Sequence, residues 1–129
     1  MKVRIVNNSI RFRLKEPEVH QFAEEGKITE VVEFGSEVED KLCFCLEISN
    51  DASLKISYKS NITTIYVPKG LAEKWTKTGM VGFDGKIETG KGRTIQLLVE
   101  KDFMCLDGRE DDNAGSYPNP LAEMKNSGS

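Results

Sequence analysis

At 129 residues with a formal net charge of -3, the chain is sized for one domain with its own hydrophobic core. Hydrophobic residues at 38% and charged residues at 30% exclude a collagen-like or disordered polymer, and the mild acidity argues against generic nucleic-acid binding. No apolar run approaches the ~20 residues of a membrane span, and "MKVRIV" has no leader-like apolar core, so a cytoplasmic location without membrane association is expected.

The first elements are written by alternation. In "SIRFRL", Ile10, Phe12 and Leu14 fall on one face of a strand, and Arg11 and Arg13 on the other. Lys2 and Arg4 precede them and Lys15 follows, so the first fifteen residues carry cations and no acid. Pro17 suits the first turn of a helix in which Val19, Phe22 and Ala23 recur at helical spacing, and Gly26 stands where a C-terminal cap belongs. "VEFG" at 32–35 and "LCFCLEI" at 42–48 read as two further strands.

The second half repeats this order. "LKI" at 54–56 echoes "VRI" at 3–5, Asn61-Ile62 echoes Ser9-Ile10, and Pro68 answers Pro17. Leu71, Ala72 and Trp75 form a second helical stripe, closed by Gly79. "VGFDG" at 81–85 echoes "VEFG", and "IQLLVEK" at 95–101 matches "LCFCLEI", which sets Glu47 beside Glu100. The expected fold is therefore α+β. A duplicated strand–strand–helix–strand–strand unit (residues 1–50 and 51–106) makes a curved, mainly antiparallel sheet or barrel of about eight strands with two helices. Neither half would bury much core alone, so residues 1–106 form one domain. Ile10, Phe12, Leu14, Phe22, Leu42, Phe44, Leu46, Ile56, Ile65, Trp75, Ile95, Leu97 and Val99 are expected inside it. Residues 107–129, rich in Asp, Gly, Asn, Ser and Pro, read as an acidic tail in which Tyr117 would anchor the segment to the domain.

"NSIRFRL", together with "LLVEKDFMCL", the acidic stretch and "YPNP", resembles a family of small bacterial proteins known only as a domain of unknown function. The likeness spans essentially the whole chain. It implies a self-contained domain that includes the C-terminal segment, and it implies no activity.

Motifs that carry chemistry are few, and none identifies a catalytic residue or a cofactor. His20, the single histidine, reads as a helix-surface residue. Cys43 and Cys45 alternate with Leu42, Phe44 and Leu46 and read as small strand hydrophobes. An odd count of three cysteines without a leader suits reduced thiols. Cys105 could be a nucleophile only if a base were brought near, and His20 is the only histidine available. "DGKIETGKG" at 84–92 lacks the full GxxxxGK[ST] string of a phosphate loop, having Gly92 where the hydroxyl belongs, and lies between two strands, so it is expected to be a hairpin. "DGREDDN" lacks the ligand spacing of a calcium loop.

The cationic stripe is the main candidate site. Arg11 and Arg13 on one strand, with Arg4 and Lys55 at matching places in the two repeats, could bind an anionic small molecule, since arginine forks suit bidentate anion contacts. Solvent, or neutralisation by the acidic tail, would also satisfy it. A wide duplicated barrel with charged walls is similar to the triphosphate-tunnel (CYTH-like) phosphohydrolases, and "EVEDK" at 37–41 matches their ExExK string, although it lies in a loop here. That resemblance implies phosphate binding by Arg4, Arg11, Arg13 and Lys55, with Glu47 and Glu100 as metal ligands. The leading expectation is a binding or interaction module with a cationic strand face, and the alternative is such a phosphohydrolase.

Overall fold

The computed structural model describes residues 1–103. The alternating N-terminal segment forms β1 (Lys2–Val6) and β2 (Ser9–Leu14), joined by a tight turn in which Asn7 takes φ 50°, a conformation asparagine tolerates. Helix α1 (Glu16–Glu25) follows with a proline in its first turn. Gly26 caps it at φ 74°, its N–H donating to the Phe22 carbonyl at 2.8 Å. Next come β3 (Lys27–Glu33), a short 3-10 turn (Val38–Asp40) and β4 (Lys41–Ser49). The second half gives β5 (Lys55–Lys59), β6 (Ile62–Pro68), α2 (Lys69–Lys77), β7 (Gly82–Gly90) and β8 (Arg93–Lys101). The expected order of elements is the observed one.

Instead of one continuous sheet, the strands make two four-stranded sheets, β1-β2-β8-β7 and β3-β4-β6-β5. The outer pairs are antiparallel hairpins, and the central pairs, β2 with β8 and β4 with β6, are parallel. Each sheet therefore mixes strands from both halves. Neither half can complete its hydrogen bonding alone, which is the physical reason the halves fold together. Phe12 of the first sheet meets Phe44 of the second edge-on at 6.2 Å between ring centroids. The inward faces and the helices share one core that includes nine of the thirteen residues expected there, with Val19, Ile28, Val67, Ala72 and Phe83 added, whereas Ile10, Leu42, Ile56 and Ile95 are only partly buried against it. Helix α1 carries the chain from the first sheet to the second and α2 carries it back. They meet through Phe22 and Trp75, whose indole N–H donates to the Val81 carbonyl at 3.0 Å.

The repeat is visible in the ladders. Cys43 pairs with Ile62 in one sheet and Gln96 with Ser9 in the other, so both partners move by fifty-three residues between the halves. The bond from Cys43 N–H to the Asn61 carbonyl (2.9 Å) recurs as Gln96 N–H to Asn8 (3.0 Å). A duplicated unit accounts for both. The structure corrects four details of the sequence reading. Lys55 sits opposite Tyr66 as Lys2 sits opposite Arg13, so Lys55 corresponds to Lys2, and Arg4 corresponds to Ser57. The apolar-cationic alternation had matched the wrong cation because a short alternating string aligns equally well two residues along. Residues 32–35 leave β3 whereas residues 81–85 enter β7, so that echo is not structural. Thr78, not Gly79, caps α2, and Ala23 lies on the exposed side of α1.

Candidate functional site

On the inward side of β2, Phe12 and Leu14 are fully buried, which by alternation turns Arg11 and Arg13 outward. The pairing then fixes their neighbours. One row across the outer face of the first sheet reads Lys2, Arg13, Glu100, Gly82. The next reads Arg4, Arg11, Leu98, Asp84.

These side chains form a charge cluster. Glu100 Oε1 accepts from Arg11 Nε at 2.7 Å and also from the terminal nitrogen of the same guanidinium. Arg13 Nε lies 3.1 Å from that oxygen in an ion pair, but its N–H is not aimed at it, and this buried donor has no hydrogen bond among the described residues. Asp102, just beyond β8, takes Lys2 at 3.2 Å and Arg13 at 3.7 Å, and its own N–H donates to the Leu14 carbonyl at 2.8 Å, which extends the ladder by one step. Gly82 completes the row for a steric reason. A Cβ there would stand 2.6 Å from the Val99 carbonyl oxygen and 2.8 Å from Glu100 Cβ.

Arg4 is treated differently. It lies directly opposite Arg11, is exposed, and has no ion-pair partner among the described residues. Like charges directly across an antiparallel pair repel. Four cations (Lys2, Arg4, Arg11 and Arg13) thus share two acids, Glu100 and Asp102, and the uncompensated end of the cluster is at Arg4.

Of the residues predicted to form an anion site, the fold brings Arg4, Arg11 and Arg13 together and leaves Lys55 out. Lys55 lies on the outer face of the second sheet, paired with Asp51 at 3.3 Å. Glu47 and Glu100 do hold matching register positions, but in different sheets and on opposite outer faces. Glu47 pairs with Lys27 at 3.7 Å, whereas Glu100 is spent on two arginines. The two do not form a metal site, and no cluster suited to a metal exists among the described residues. The sheets' inward faces are the apolar core, so the cations do not line a tunnel. The 37–41 segment is a 3-10 turn running into β4, as its loop-like sequence suggested. Sequence reasoning put Lys2 in the cationic stripe and expected acids from Asp102 onward near Arg11 or Arg13, as Asp102 is, but missed Glu100 as the partner of both arginines. Only the parallel β2–β8 pairing joins them, and no local signal encodes it.

The remaining candidates are structural. His20 is exposed on α1, 3.6 Å from Glu16 one turn earlier. Cys43 and Cys45 are free thiols on the outward side of β4. Burial pushes the Cys45 thiol above its ordinary pKa, with side-chain hydrogen bonds from Thr29 and Thr64 opposing, so it is not an activated nucleophile. Residues 84–92 belong to the β7–β8 hairpin, with Gly90, Lys91 and Gly92 at positive φ in its turn. Cys105 and Tyr117 lie outside the described residues, as does the boundary placed after residue 106. No helix among the described residues is long and apolar enough to cross a membrane.

A family model described as a family of unknown function, DUF7009, matches residues 1–121, in keeping with the resemblance carried by "NSIRFRL" and "YPNP". No curated protein and no solved structure is matched by the chain.

Proposed function

We propose, for a chain that belongs to the DUF7009 family of unknown function, a role as a small binding module whose outer face on the first sheet receives an anionic group at Arg4 and Arg11. One observation carries the reading. Two arginines stand opposite each other on neighbouring strands, one of them without an acid among the described residues. A phosphate or carboxylate between them would exchange mutual repulsion for charge-assisted hydrogen bonds. Glu100 and Asp102 hold Arg11 and Arg13 in place, so ordering them costs little when the anion arrives. A cytosolic setting suits the free thiols of Cys43 and Cys45.

The test is thermal unfolding with tripolyphosphate as probe. A ligand specific for the folded state stabilises it by RT ln(1 + [L]/Kd), about 2.7 kcal/mol at a hundredfold excess over Kd, which raises the Tm of a domain this size by several degrees. Arg4→Gln and Arg11→Gln should each abolish most of that shift, and Lys55→Gln should leave it intact. An equal loss with Lys55→Gln would mean that the probe senses net charge and not this face.

A further inference from the structure

The charge of the chain is unevenly distributed. Residues 1–103 contain sixteen lysines and arginines and sixteen acids, so the whole formal charge of -3 resides in residues 104–129. Within that segment Asp107, Glu110, Asp111 and Asp112 are interrupted only by Arg109 as a cation. The matched family region runs on to residue 121 and so includes the acidic stretch.

We propose that residues 107–112 are the resting occupant of the Arg4–Arg11 face, so that an outside anion binds by displacing the chain's own carboxylates. The inference rests on the anion-binding reading of that face and names what competes for it. Its geometry starts from Asp102, which is hydrogen-bonded to β2 and ion-paired with Lys2 and Arg13, so the chain departs from within the cationic cluster. Arg4 and Arg11 are level with Leu98, four residues back along β8 from Asp102, a step of about 13 Å along the strands, and neighbouring strands are about 5 Å apart. Residue 107 is five residues beyond Asp102, and five extended residues span up to about 17 Å. Reach and sign of charge both fit. Single exposed ion pairs are weak. A short tether, however, holds four carboxylates near the face at an effective concentration in the millimolar range, which makes them a competitor instead of a permanent lock.

The experiment compares the full chain with a full-length variant carrying Asp107→Asn, Glu110→Gln, Asp111→Asn and Asp112→Asn. Calorimetric titration with tripolyphosphate should give about tenfold tighter binding to the variant, the size expected when a millimolar-range intramolecular competitor is removed. Without ligand, the Arg4 and Arg11 Nε–H resonances should differ between the two proteins. In the unaltered chain the same two resonances should move when salt is raised to about 1 M, where the screening length falls to about 3 Å. Unchanged affinity with unmoved resonances would overturn self-occupation and leave the anion-binding reading standing. Moved resonances with no tripolyphosphate binding to either protein would do the reverse.

Discussion

Glu100 serves two arginines with one carboxylate oxygen while half-shielded from water, and Arg13 Nε is left without a hydrogen bond beside it. Charged hydrogen bonds in such places contribute more than exposed pairs do. Glu100→Gln should therefore lower stability by about 1–3 kcal/mol in urea titration, whereas Glu47→Gln, its register equivalent beside an exposed Lys27, should change it by less than about 1 kcal/mol. The contrast separates a role for the cluster from a general effect of removing acids. In the core, Phe44 packs edge-on against Phe12 across the two sheets. Phe44→Ala should cost about 3–5 kcal/mol by denaturant unfolding, and a near-neutral result would mean the inter-sheet contact is not made. The inward and outward sides of β2 and β4 were legible, because alternation of apolar and polar residues is a local signal that survives any choice of strand partner. The ion pairs were not, because residues 11 and 100 meet only through a parallel pairing across the whole chain.

Helix α1 illustrates how an element is fastened at its start. Glu18 accepts the Lys15 backbone N–H at 2.8 Å and also the Met1 amine, which reaches Glu30 of β3 at 2.7 Å. Burial opposes both charges, yet the mutual hydrogen bonds prevail, holding the Glu18 carboxyl below its ordinary pKa and the Met1 amine above its own. The carboxylate thus contributes stability that is full above its unfolded value and is lost as pH falls through the lower, folded one. The amine contributes below its unfolded value and is lost as pH rises through the raised one. Stability measured from neutral pH down through the carboxylate range should fall, and Glu18→Gln should flatten part of that fall. Identical slopes in the two proteins would remove this pairing from the account of acid sensitivity. Proline in the first turn and glycine at the cap made α1 readable from sequence, whereas α2 ends on Thr78, where Gly79 had been the only visible signal.

At the scale of the molecule, the two halves supply the same skeleton with different outer faces. The row Lys2–Arg13–Glu100–Gly82 of the first sheet corresponds to Lys55–Tyr66–Glu47–Lys27 of the second, and Arg4–Arg11–Leu98–Asp84 corresponds to Ser57–Thr64–Cys45–Thr29. Facing arginines therefore occur on one face of the pair and not on the other. Duplication was visible in the order of prolines and apolar runs. The mixing of halves within each sheet was not, since strand order depends on which edges meet when the core closes. The most direct measurement of the central claim follows the arginine Nε–H and backbone amide resonances of the full chain during titration with tripolyphosphate. Saturable shifts at Arg4 and Arg11, with smaller ones at Arg13 and none around Ser57 and Thr64, are the predicted result. Shifts spread evenly over the lysines and arginines of both sheets, or none that saturate, would contradict it.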